Sequence, residues 1–178
     1  MPRERVLART RAPGKLILLG EHAAVYGRTA LAVPVQAVEA RVKVLPATSV
    51  LTIEAHHPPG SGDGPELVEV EAAGAENALA AAVLAALGAR RVAGDEASAQ
   101  LPLWRMLLES SIPVGVGLGS SASVAVALVR AVGVAAGSPF DGPTTARLAL
   151  EAEKRTHGTP SGIDNTVIAL ERPIRFDA

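Results

Sequence analysis

Apolar and polar residues alternate in the first third of the chain. Val38, Ala40, Val42 and Val44 are interleaved with Glu39, Arg41 and Lys43, the period of two that gives a strand one dry and one wet face. Leu16–Leu19 predicts a short apolar strand before it, and Val50–Glu54 and Glu66–Glu71 read as a strand pair. His56–Pro65 between them is dense in Pro and Gly and predicts a turn or loop.

The pattern then changes period. Glu76–Arg90, rich in Ala and Leu, predicts a helix with Gly88 as its candidate end, and Gly94–Pro102 reads as a polar connector. Trp104–Ser110 is apolar enough for a short strand. Ser121–Ala136 is apolar nearly all round, the mark of a buried helix. Thr144–Thr156 predicts a helix with a charged side, and Ile163–Leu170 a closing strand. Strands first, then helices mixed with strands, imply an α+β fold, a two-layer α/β sandwich. No internal repeat of about 20–50 residues is visible.

Composition narrows the class. A length of 178 residues suits one domain, and 48% apolar with 20% charged residues is a globular balance. Alanine supplies 34 of the apolar positions and aromatic residues four, so the core depends on close backbone approach rather than aromatic bulk. The absence of cysteine excludes disulfides, thiolate metal sites and a cysteine nucleophile. Met1–Arg11 carries four arginines and no apolar stretch, unlike a secretory leader. The longest apolar run, Ala78–Leu87, is ten residues, short of the ~20 that span a bilayer. A net charge of −1 argues against a general nucleic-acid surface. The expectation is a soluble, cytoplasmic protein whose partner is neither nucleic acid nor membrane. His56 and His57 are adjacent, but no further ligands stand at zinc spacing, and they read as exposed loop residues.

Glycine is distributed unevenly. Pro13–Gly27, Pro113–Ser123 and His157–Asn165 hold eight of the 17 glycines, two of the four histidines and one of three lysines. In the middle block, Pro113, Gly115, Val116, Gly117, Leu118, Gly119, Ser120 and Ser121 lead straight into the buried helix. Glycine at every second position lets backbone N–H groups converge on an anion, and the helix adds its free N–H groups and positive dipole end. Ser120 and Ser121 are candidate caps and hydroxyl donors to a phosphate or its metal. No Lys follows the last glycine, as the Walker A motif requires, and Ser120 stands where the dinucleotide fingerprint needs Gly. The spacing favours phosphate binding over a plain capped turn.

In the first block an apolar strand is bracketed by Lys15 on one side and by Glu21 and His22 on the other. Lys15 reads equally as a compact point charge or as a surface lysine at a strand start. In the third block Glu153 lies in the last turn of a helix, and Asp164 follows a Pro/Gly turn, where a strand is expected to begin. Mg²⁺ with a nucleotide takes one or two carboxylates plus phosphate oxygens, which Glu153 suits. A solvated helix face and a turn aspartate are the alternatives.

Together and in this order, the three blocks resemble the signature segments of the galactokinase, homoserine kinase, mevalonate kinase and phosphomevalonate kinase (GHMP) superfamily. Gly20–Gly27 and His157–Asn165 are most similar to the mevalonate kinase branch. The resemblance covers most of Arg11–Leu170 and implies the superfamily's ribosomal-protein-like N-terminal ATP-binding domain over residues 1–178, with the family's C-terminal domain missing. It implies ATP and Mg²⁺ as cofactors, mevalonate as the small-molecule partner, and transfer of the γ-phosphate to mevalonate's primary hydroxyl. Asp164 would take the proton of that hydroxyl or assist its loss, and Lys15 would lower the hydroxyl's pKa and neutralise charge on the transferred group. Gly115–Ser121, with Pro113, would wrap the phosphates, Ser110 would touch the nucleotide, and Ser121 and Glu153 would hold Mg²⁺. Glu21 and His22 would line the mevalonate site. A homodimer is compatible with the resemblance. The competing readings are a nucleotide-binding module without turnover, another GHMP kinase such as phosphomevalonate kinase, and a decarboxylase relative.

Overall fold

The computed structural model describes residues 5–20, 29–56, 64–95, 100–157 and 160–177. Among these lie six strands in one sheet and five α-helices. The strands are β1 (Ala8–Leu19), β2 (Ala30–Pro46), β3 (Thr52–His56), β4 (Glu66–Glu69), β5 (Trp104–Ser110) and β6 (Ile174–Phe176). Their order is β1-β2-β5-β3-β4, with β6 pairing the start of β2. All pairs are antiparallel except β3 with β5. The helices are α1 (Val70–Ala73), α2 (Ala78–Val92), α3 (Ser120–Ala135), α4 (Gly142–His157) and α5 (Ile163–Leu170). They form the second layer of the expected two-layer sandwich. α3 and α5 lie on β1 and β2, while α4 packs on α2, α3 and α5.

The alternation around Val38–Val44 is the second half of β2. Ala40, Val42 and Val44 are buried under the helices and Arg41 is exposed on the open face. The expected strand pair is β3 with β4, in register Ile53 to Val68. It ends at Glu69 because Val70, fully buried, begins the single helical turn α1. The core is alanine- and valine-rich. α3 buries Ala125, Val126, Ala127, Leu128, Val129, Ala131 and Val132, which lets the helix lie close to β1, where Thr10 Oγ1 donates to the Ala127 carbonyl at 2.9 Å.

Three sequence expectations need correction. α2 does not end at Gly88. That glycine's missing side chain faces open space, and the strong helix formers after it carry the helix on to Val92, where Gly94 (φ 87°) supplies the left-handed terminator. The start of α2 is set by Asn77, whose Oδ1 accepts from the N–H groups of Leu79 and Ala80 at 3.0 and 3.2 Å. Second, Ile163–Leu170 is helix α5, not a strand. Its β-branched residues suggested a strand, but Ile163, Val167 and Ile168 share one buried face at helical spacing, and two adjacent polar residues, Asp164 and Asn165, break any alternation. Third, neither Ser120 nor Ser121 caps α3; that position belongs to Gly119 in left-handed conformation (φ 73°).

α4 is preceded by Asp141, whose Oδ1 accepts from the Thr144 N–H at 2.8 Å. The Thr144 hydroxyl and N–H hold the Asp141 carboxyl below its ordinary value of 3.8. A carboxyl lowered in the folded state stabilises above its unfolded pKa, and that contribution is lost as pH falls through the folded value. Asp141→Ala therefore lowers Tm at neutral pH. The gap to the parent narrows in melts below pH ~3, and Asp141→Asn, which keeps an acceptor, loses less. An equal gap at both pH values would remove the ionised cap from the account.

Candidate active site

The middle glycine block has the alternating backbone that its spacing suggested. Gly115, Gly117 and Gly119 have φ of 80°, 79° and 73°, while Val116 and Leu118 between them do not share this sign. Alternation in the sign of φ is a feature of the backbone of an anion nest, in which successive N–H groups face one side. Pro113, Gly115, Val116 and Gly117 are exposed, and the loop leads into the N-terminus of α3. Beside it lies a cavity of about 340 Å³. Ser110 from the end of β5, Ser120 and Ser121 from α3, and Glu153 from α4 all line it. Four predicted residues thus meet in one space. Leu79, Leu108, Val124 and Ala125 form its apolar wall, and Asn77 and His56 stand at its margin.

On the other side of the loop, Lys15 and Asp164 form an ion pair, Nζ to Oδ1 at 3.0 Å. Lys15 is 5% exposed, which excludes the surface-lysine alternative. The β1–β2 register shifts between Pro13 and Gly14, whose partners are Glu39 and Val35 and leave Gln36, Ala37 and Val38 of β2 without a partner, and the Lys15 N–H donates to the Leu118 carbonyl at 3.0 Å. The Lys15 stem then passes directly over Gly119, where an added Cβ would lie 2.7 Å from Cγ. Gly119 is therefore glycine for two reasons, its left-handed φ and the lysine crossing it. Asp164 stands in the first turn of α5, at the helix's positive end, with its carboxylate one-third exposed. Within this short segment Ser120 and Ser121 line the cavity, while Leu118 and Gly119 touch Lys15.

Sequence reasoning missed Ser123. It is fully buried, and its Oγ contacts the carbonyls of Pro13 at 2.6 Å and Gly119 at 2.9 Å, tying the β1 segment just before Lys15 to the loop. The available signal was a hydroxyl on a helix face that is otherwise apolar. His56, read as a loop residue, ends β3, and its Nε2 lies 3.0 Å from Glu54 Oε1. Glu21 and His22, the predicted substrate-site residues, lie outside the described residues, as does His57.

The donors fit a hard divalent cation. Ser121 and Glu153 offer a hydroxyl and a carboxylate to one cavity. Among the described residues no cluster of three His, Cys, Asp or Glu forms a protein-only cage, which suits an ion held by one or two carboxylates together with phosphate oxygens and water.

A two-layer sandwich with a glycine nest at a buried helix, a carboxylate across the cavity and a Lys–Asp pair behind the loop defines a domain of the kind that cradles a phosphorylated ligand. The chain belongs to the family of the GHMP kinases N terminal domain, whose pattern matches residues 83–172, as the three blocks implied. A mevalonate kinase of Pyrococcus furiosus is 36% identical over 164 residues, taking 89% of this chain and 48% of that relative. The crystal structure of the Methanococcus jannaschii mevalonate kinase shares the fold, with TM-score 0.80 at 19% identity over 99% of this chain and 55% of its own. That of a mevalonate kinase from methicillin-resistant Staphylococcus aureus gives 0.68 at 29% identity, over 94% and 52%. The chain spans about half the length of the relatives it matches. Among the described residues no single helix is long and apolar enough to cross a membrane.

Proposed function

We propose that this chain is the nucleotide-binding part of an ATP-dependent small-molecule kinase acting on the primary hydroxyl of mevalonate. The observation that carries the reading is the ion pair of buried Lys15 with Asp164, the lysine lying against the glycine loop, supported by relatives named as mevalonate kinases. The loop N–H groups and the α3 dipole hold the ATP phosphates. Asp164 takes the proton as the hydroxyl oxygen bonds to the γ-phosphorus. The bridging oxygen leaves on ADP with the bonding electrons. Lys15 holds Asp164 in place and offsets charge gathering on the transferred group, the positioning and electrostatic work that phosphoryl transfer requires. Ser121 and Glu153 would hold Mg²⁺, which when bound neutralises phosphate charge.

A coupled assay on the full-length gene product tests this. ADP release is expected with mevalonate and not with phosphomevalonate, homoserine or galactose. Turnover on one of those instead overturns the substrate assignment. A second reading is a module that binds nucleotide without turnover. Calorimetry on the 178-residue chain that finds ATP binding unchanged in Asp164→Ala, together with no ADP release by the full-length product, would establish it.

A further inference from the structure

Lys15 and Asp164 sit on different elements, β1 and α5, and a second connection joins the same two elements at their other ends. Arg130 projects from α3 between them. Its Nη1 donates to the Arg11 carbonyl on β1 at 2.7 Å and to Glu171 Oε1 at 2.8 Å, and its Nη2 donates to the Ala169 carbonyl at 2.9 Å. Ala169 belongs to the last turn of α5, whose carbonyls have no partner within the helix. Glu171 is the residue that terminates α5, in left-handed conformation (φ 50°), with its N–H on the Val167 carbonyl. Its second oxygen faces Arg11 Nη2 at 3.4 Å and Gln36 Nε2 at 3.5 Å. One planar guanidinium thus closes the C-terminal end of α5 against the strand that carries Lys15.

The consequence follows from rigidity. α5 has eight residues and packs its apolar face on α3, α4 and the sheet, and beyond that packing its C-terminal end is fixed by Arg130. Asp164 lies about 8 Å along the axis from Ala169, so a small tilt at the Arg130 end moves the carboxylate relative to Lys15. A lysine at 130 could not bridge all three acceptors, because only the guanidinium has a fixed fork of donors. We propose that Arg130, acting with Glu171, is a positioning residue that sets the Lys15–Asp164 geometry; for its effect on turnover this rests on the kinase reading above.

The test compares Arg130→Met, Arg130→Lys and Glu171→Gln. In the full-length gene product, Arg130→Met is expected to lower kcat about tenfold to a hundredfold with the ATP Kd unchanged within about twofold. Arg130→Lys recovers part of the loss, and Glu171→Gln, which keeps an acceptor, shows a smaller one. Independently of activity, the ¹⁵Nζ ammonium resonance of Lys15 in the 178-residue chain is expected to move in Arg130→Met toward its position in Asp164→Asn. An unmoved Lys15 resonance in a folded variant overturns the proposal, as does a kcat loss matched by an equal loss of ATP affinity. If Arg130→Met does not fold, Glu171→Gln decides by the same two readouts. If the parent lacks phosphotransfer, the kinase reading falls while the resonance still decides the positioning.

Discussion

Asp164→Asn in the full-length gene product is expected to lower kcat by about 10²–10⁴-fold, the range for losing a positioned proton acceptor. ATP affinity stays within about twofold, because Asp164 lies behind the loop and not in the cavity beside it. The same change also costs stability. Lys15 is 5% exposed, and removing its counter-charge leaves an ammonium with little access to water. That destabilises by about 1–3 kcal/mol, moderated by the solvent that reaches the Asp164 side. The two effects separate in a double variant. Lys15→Met with Asp164→Asn takes away the buried charge and restores Tm, and it restores no turnover. Equal falls in kcat and ATP affinity for the single variant would make Asp164 a structural residue.

Much of the site was legible in the sequence because its chemistry is carried by residues close together in the chain. Glycines at 115, 117 and 119 required a special backbone whatever the fold, and the serines after them had to sit at a helix start. The meeting of Ser110 and Glu153 with that loop depends on tertiary packing, and only the family resemblance reached it. The elements failed where local propensity and tertiary context disagreed. Ile163–Leu170 has the side chains of a strand and the burial of a helix, since its one dry face is supplied by α3, α4 and the sheet. The misreading placed Asp164 at a strand start when it occupies a helix N-terminus, which changes the field it feels. Gly88 was the candidate end for α2, but it is Gly94, read as the start of a connector, that has the positive φ of a terminator. The partners of Arg130 and Ser123 were not legible, because each joins residues more than a hundred positions apart in the chain, although the lone hydroxyl on the apolar face of α3 marked Ser123 itself.

Gly119→Ala carries the second large expected effect, and Gly115→Ala is its control. Both positions have positive φ, 73° and 80°, so each alanine bears a similar backbone cost of about 1–2 kcal/mol. Their surroundings differ. At Gly115 nothing lies within 4 Å of the added Cβ, whereas at Gly119 it meets Lys15 Cγ at 2.7 Å, Lys15 Cε at 3.2 Å and Ile168 Cδ1 at 3.3 Å. The lysine cannot retreat as a unit, since its N–H is bonded to the Leu118 carbonyl and its backbone is paired with β2. Its side chain must leave the groove instead, breaking the contact with Asp164. Gly115→Ala is therefore expected to weaken ATP binding modestly and lower Tm by about 2–8 °C. Gly119→Ala loses at least as much stability and in addition about 10²-fold or more in kcat. Adding Lys15→Ala to Gly119→Ala should recover stability, because the clash is with the stem, but not activity. Matching kcat losses in the two single variants would mean that the loop conformation alone, and not the passage of Lys15 across Gly119, governs the chemistry.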